Sequence, residues 1–261
     1  MSYSRIACYI RWLGIVAALA AFHVLAEIGA AAQEQPANAE TGRVAQAYAK
    51  PAPDAGSPPW YASLHIGGVI VPDMTFEGTG LEIVMPLDVG IGFGGALGYK
   101  FGFGLRLETE VTYRISEASS IEFVGGSTFS DASGGLESIN VMANAWYNVE
   151  FLPFLFGKWA PYFGGGAGYA KFWVDPGFWL VSGCGCGPDV AVPVIEADDT
   201  AYVWQIGGGM AYKYSEAVQV SIDYRLIQPF GRLRFVGSPY VIPLEADYKS
   251  HSVFLAFRGF F

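Results

Sequence analysis

From residue 60 onward, apolar and polar residues alternate one by one. Phe103–Ile115 shows this most cleanly. One face reads Phe103, Leu105, Leu107, Thr109, Val111, Tyr113 and Ile115, and the other reads Gly104, Arg106, Glu108, Glu110, Thr112 and Arg114. A period of two means a β-strand whose faces meet different surroundings. Ala217–Gln228 repeats it, with Val218, Val220, Ile222, Tyr224 and Leu226 on one side and Gln219, Ser221, Asp223 and Arg225 on the other. Ile139–Phe151 repeats it again, with Asn140, Asn144, Asn148 and Glu150 on the polar face. A helix would scatter these charges around its circumference.

Five further segments alternate less sharply: Trp60–Val69, Asp88–Tyr99, Ala160–Trp173, Thr200–Tyr214 and Tyr248–Phe261. Two of them carry glycine on the polar face, at Gly90, Gly92, Gly94 and Gly98 and at Gly164, Gly166 and Gly168. In a narrow barrel such positions leave room for long side chains from facing strands. Neither Gly164-Gly165-Gly166 nor Gly207-Gly208-Gly209 precedes the Gly-Lys-Ser/Thr of a phosphate loop.

The connections alternate in length. Short ones fall near Lys100–Gly102, Leu152–Trp159 and Ser215–Glu216; long ones are Ile70–Leu87, Ser116–Leu136, Val174–Asp199 and Pro229–Asp247. Short periplasmic turns and long outer loops mark membrane barrels. A two-sheet sandwich does not predict this alternation, and a soluble lipocalin-like barrel would turn its apolar face inward. In a lipocalin Arg106, Glu108, Glu110 and Arg114 would form the solvent face; the export signal, the aromatic excess and the chain end favour the membrane, and the predicted fold is all-β: a transmembrane, eight-stranded, antiparallel up-and-down β-barrel.

Composition agrees. Charged residues are 15% of the 261, against about 25% in an ordinary soluble domain. The chain holds 34 Gly, 19 Phe, 15 Tyr and 7 Trp. These aromatics exclude a disordered chain. A net charge of −9 disfavours a nucleic-acid partner, and three Cys are too few for a disulfide scaffold.

Residues 1–32 read as a secretory signal. Arg5 and Arg11 are the basic start, Trp12–Ala26 is apolar apart from His23, and Ala30-Ala31-Ala32 offers a cleavage site. That apolar run falls short of the ~20 residues a spanning helix needs. Residues 33–59, rich in Ala, Pro and Gln, read as a flexible linker. The barrel then occupies 60–261.

Four stretches carry a family resemblance. Ala160-Pro161-Tyr162-Phe163-Gly164-Gly165-Gly166-Ala167-Gly168-Tyr169-Ala170 resembles the fifth strand of the opacity-type, porin-like outer-membrane proteins. Ala201 to Lys213, Val220 to Arg225 and Ser250 to Phe261 resemble its sixth, seventh and last strands. These are small eight-stranded barrels similar to the barrel domain of outer-membrane protein A. The resemblance implies surface-exposed loops and no cofactor. A terminal Phe261, with Phe257, Leu255 and Val253 spaced by two, resembles the signal read by the barrel-assembly machinery; Gly259 departs from it.

Candidate chemistry is sparse. Arg106, Glu108, Glu110, Arg114, Glu150, Lys213, Asp223, Arg225 and Arg258 are expected in the lumen, as an ion-pair core rather than an ion path. Arg106 and Arg114 flank Glu108 and Glu110, which favours pairing over acid/base catalysis. His251 and Ser252 would suit a hydrolase only within mutual reach, yet neighbours on a strand point to opposite faces. Cys184-Gly185-Cys186 has too few ligands for zinc. The four long connections hold 13 carboxylates and two cations, Arg232 and Arg234. Such a surface could bridge through divalent cations to lipopolysaccharide phosphates, although no calcium-loop spacing occurs.

No catalytic, cofactor-binding or metal residue is therefore assigned, and no enzyme activity is expected. The expected role is a structural, surface-antigen protein of the Gram-negative outer membrane that exposes acidic loops. A narrow ion or small-solute channel is the alternative, and a lipid-modifying barrel enzyme ranks behind it. Expected partners are outer-membrane lipids, lipopolysaccharide and the barrel-assembly machinery through Phe261, with no nucleic acid.

Overall fold

The computed structural model describes residues 59–78, 81–118, 120–123, 128–129, 133–149, 158–181, 190–193, 197–235 and 243–261. The proposed signal, nearly all of the linker, and Cys184 and Cys186 lie outside them.

Eight long strands form the barrel: β1 (Trp60–Ile70), β4 (Gly90–Lys100), β5 (Leu105–Ala118), β8 (Ser133–Asn148), β9 (Trp159–Val181), β11 (Ala197–Lys213), β12 (Val218–Pro229) and β15 (Ser250–Phe260). Each pairs antiparallel with its sequence neighbour among the eight, and β1 pairs with β15 to close the ring. The eight alternating segments of the sequence are these eight strands. The turn joining β4 to β5 is closed by the Phe101 amide donating to the Leu105 carbonyl at 2.8 Å. It contains Gly104 at φ +90°, which a side chain would strain.

Two strands outrun their predicted ends. β8 starts at Ser133 rather than Ile139, and β9 continues past Trp173 to Val181. The period of two also continues: Leu136 and Ser138 on β8, and Phe172 and Val174 on β9, are buried. At ~3.3 Å per residue, 23 residues extend about 75 Å, well beyond an apolar band of ~25 Å even with a 45° tilt. The outer part of β9 therefore stands clear of the bilayer.

The long connections are not simple loops. They contain β2 (Met74–Gly78), β3 (Leu81–Met85), β6 (Ile121–Phe123), β7 (Thr128–Phe129), β10 (Val190–Pro193), β13 (Leu233–Phe235) and β14 (Leu244–Ala246). β10 extends the barrel sheet through β9. The other six make a second sheet in the order β13-β14-β2-β3-β6-β7. Strands from the first, second and fourth long connections thus pair with one another.

The outward face is lipid-like. Ile66, Ile91, Leu97, Val111, Ile206, Ile222, Val253 and Leu255 are exposed. At the short-turn end, Trp60, Tyr99, Phe101 and Phe103 touch in series, with ring centroids 4.9–5.7 Å apart. Towards the other end, Phe93 meets Tyr113, and Tyr169 meets Tyr202. Two aromatic girdles around an apolar band are the mark of a membrane barrel.

Candidate functional site

The interior has two layers. Towards the short turns it is polar. Arg106, Glu108, Glu110, Arg114, Asp223, Arg225 and Arg258 are all buried there, as their alternation predicts. Lys213 is only half-buried, at the end of β11, and Glu150 falls outside the described residues.

Arg225 is the hub. Its Nη1 donates to Glu110 and its Nε to Asp223 Oδ1 at 2.6 Å. Its guanidinium also lies over Trp146 at 5.5 Å and Phe254 at 5.2 Å. Among the described residues, Arg225 carries the ion pairs of the expected core, and the remaining lumen charges are met largely by neutral groups. Glu108 accepts from the Tyr61 hydroxyl and from Trp146 Nε1, each at 2.7 Å. Asp223 accepts from the Tyr162 hydroxyl at 2.7 Å. Arg106 donates from Nε to Asn148 at 3.2 Å and lies over the Tyr162 ring at 5.0 Å. Arg258 donates to Gln219 at 3.0 Å.

Glu110 is also held by the Thr112 hydroxyl at 2.8 Å. That hydroxyl has given its proton to Glu110, so it accepts from His65 Nε2 at 2.9 Å, which places the ring proton on Nε2. Glu108 and Glu110 share Asn144 as a donor, at 3.4 and 3.2 Å. Both carboxylates are thus engaged by fixed donors.

Tyr61, His65, Trp146, Tyr162 and Gln205 are members of this network that the alternation of charges alone did not single out. Their signal was present: each occupies the inward register of its strand, where a hydrogen-bonding ring or amide suits a charged neighbour.

Above this floor the interior becomes apolar. Val69, Met142, Phe172, Val174, Val203 and Ile227 pack in one cluster with Met74, Phe76, Ile83, Met85, Leu233, Phe235, Leu244 and Ala246 of the second sheet. Phe172 meets Tyr248 edge-to-face with ring centroids 4.8 Å apart, and Phe76 meets Phe235 at a tilt at 5.6 Å. The second sheet therefore turns its apolar face onto the barrel mouth and closes it.

Its other face is acidic. Glu245 stands opposite Glu77, and Glu77 opposite Glu82. Like charges in opposed positions repel. Arg232 offsets this, reaching Glu77 at 2.9 Å, Asp247 at 3.5 Å and Glu245 at 3.6 Å. The hydrogen bond to Glu77, ahead of the surrounding charges, raises the Arg232 pKa. A second tie runs from the Arg234 amide to Asp199 at 2.6 Å, joining β13 to β11.

His251 and Ser252 face opposite ways. Ser252 is buried, while His251 Nδ1 meets the Tyr224 hydroxyl at 2.6 Å on the outer side. Among the described residues, no group of three or more His, Cys, Asp or Glu could hold a metal ion.

A closed ring of eight antiparallel strands, apolar outside and girdled by aromatics, defines a transmembrane β-barrel. The chain belongs to the outer membrane protein beta-barrel domain family, whose model matches residues 16–255. No curated protein sequence matches significantly. Among solved structures, the chain is similar to Neisserial surface protein A, at 15% identity and TM-score 0.44 over 79% of this chain and 99% of that one. It is similar to the outer membrane protein OprG of Pseudomonas aeruginosa, at 10% identity and TM-score 0.46 over 77% and 96%. It is also similar to the attachment invasion locus protein of Yersinia pestis, at 12% identity and TM-score 0.36 over 77% and 98%.

Proposed function

We propose that the protein is a non-conducting, non-catalytic barrel of the Gram-negative outer membrane that displays a rigid acidic sheet at the cell surface. Export would proceed through the signal in residues 1–32, and insertion through the terminal strand ending at Phe261. One observation carries the reading: among the described residues, buried side chains occupy both the inner and the outer part of the lumen. The hydrogen-bonded floor around Arg225 lies in the inner part and the apolar cluster beneath the second sheet in the outer part, an arrangement that supports a barrel without conductance. Eight strands leave an interior just wide enough for side chains to fill. What the fold presents outward is the acidic face bearing Glu77, Glu82, Glu245 and Asp247, a surface suited to cation-bridged contact with lipopolysaccharide phosphates.

Planar-bilayer recording of the refolded chain tests this against the channel reading. The expected record is silent, and steady single-channel conductance overturns the proposal. Sidedness is tested on intact cells. A tag inserted at Ser182 is expected to bind antibody, whereas one at Ser215, between β11 and β12, is not. Reversed labelling refutes the display role.

A further inference from the structure

Among the described residues, the buried charges inside the barrel do not balance: four guanidiniums are buried in the lumen, those of Arg106, Arg114, Arg225 and Arg258, against three carboxylates, Glu108, Glu110 and Asp223. Glu110 and Asp223 are joined to Arg225, and Glu108 is held by Tyr61 and Trp146. Arg106 and Arg258 each keep a hydrogen bond to an amide side chain. Arg114 differs: its Nε, Nη1 and Nη2 find no acceptor, although the residue is only 2% exposed.

Its surroundings are specific. Arg114 stands at the top of the polar floor, opposite Gly92 on β4 and Ser138 on β8. Its guanidinium lies over the Phe254 ring at 5.8 Å, the ring that Arg225 also covers. Ser250 and Ser252 face inward from the same strand as Phe254, and both hydroxyls are unpartnered. The apolar cluster containing Val69, Phe172 and Ile227 lies beyond. A buried charge of this kind demands a counter-charge, because hydrogen bonding alone does not neutralise it. Space is short: a Cβ added at Gly92 would stand 2.9 Å from the Phe254 ring. That favours a single compact ion over an organic acid.

We propose that Arg114, with the Ser250 and Ser252 hydroxyls, holds one small inorganic anion of halide size, sealed between the polar floor and the apolar cover. Arg114 supplies the charge and the N–H donors of three nitrogens, and the serines supply O–H donors from the facing strand. The anion is taken up during folding, before the second sheet closes the mouth, and becomes part of the folded barrel.

The test uses the full chain refolded in detergent with sodium bromide. Anomalous diffraction at the bromine edge is expected to show a peak beside the Arg114 guanidinium. Melting in chloride or bromide is expected to exceed melting in gluconate of equal ionic strength by roughly 5–10 °C at a hundredfold excess over Kd. In R114Q that anion dependence is expected to vanish. S252A serves where R114Q does not fold, with an expected rise in the bromide concentration needed for half the effect. An anomalous map with no peak inside the barrel overturns the proposal. So does a wild-type melt indifferent to the anion, or an R114Q variant that keeps the dependence.

Discussion

Replacing Arg225 with Met removes the hub of the lumen while keeping most of its stem. The side chain loses its contacts to Glu110 and Asp223 and its place over Trp146 and Phe254. Breaking a buried ion pair from one side costs about 3–5 kcal/mol. Here both stranded carboxylates keep neutral donors: Glu110 has Thr112 and Asn144, and Asp223 has Tyr162. Those donors place the loss near the lower bound, about 3 kcal/mol, or roughly 6–12 °C in melting temperature for a chain of this size. The assay is heat-modifiable gel mobility and urea unfolding in lipid vesicles. Ile222→Ala, lipid-facing and 54% exposed on the same strand, is the control and should stay within about 0.5 kcal/mol of the wild type. The double variant R225M/E110Q removes one stranded charge and should recover about 1 kcal/mol over R225M. An R225M barrel as stable as I222A refutes the reasoning, as does a double variant in which the two losses simply add.

Three further outcomes are expected. Phe172→Ala opens a cavity in the apolar cover, where Phe172 is fully buried against Tyr248, and should cost about 3–5 kcal/mol in urea unfolding; a loss under about 1 kcal/mol contradicts the packing described. Arg232→Ala should speed protease cleavage of the second sheet on intact cells and leave the barrel's own melting unchanged, with high salt reproducing the effect in the wild type; equal cleavage rates remove the clamp from the account. Deleting Phe261 should lower the amount of heat-modifiable, protease-resistant protein in outer membranes, and normal insertion would show that the terminal residue carries no assembly signal.

The barrel was legible because lipid and lumen impose opposite demands on adjacent residues. Leu105 to Ser116 and Val218 to Arg225 show this along most of their length, before Leu226 and Ile227 are both apolar. Which charges entered the lumen was largely readable: seven of the nine expected are buried, Lys213 is half-buried, and Glu150 lies outside the described residues. How they would be satisfied was not, because partners such as Tyr61 with Glu108, and Tyr162 with Asp223, meet only across the closed ring. The second sheet also left a local trace. Met74-Thr75-Phe76-Glu77, Leu233-Arg234-Phe235 and Leu244-Glu245-Ala246 alternate just as barrel strands do. They are three to five residues long, below what pairs stably alone, so each reads as loop until its partners arrive from distant connections. The end of β9 escaped for a related reason: Pro176 and Gly177 punctuate Asp175–Val181, yet pairing to β8 and β10 carries the strand through them.

The pairing of β14 with β2 ties the first long connection to the last. An inserted or lost residue within Met74–Gly78 would slip its register and turn Phe76 and its neighbours outward against Leu244–Ala246. Change at the exposed surface is thereby channelled. Length can vary at residues 79–80, 124–127 and 236–243, between paired strands, without disturbing either partner. Sequence within the strands can vary only on the acidic face. For anyone grafting a foreign epitope, those three connections are the tolerant insertion points, while replacing a single long connection with that of another barrel would unseat the other two.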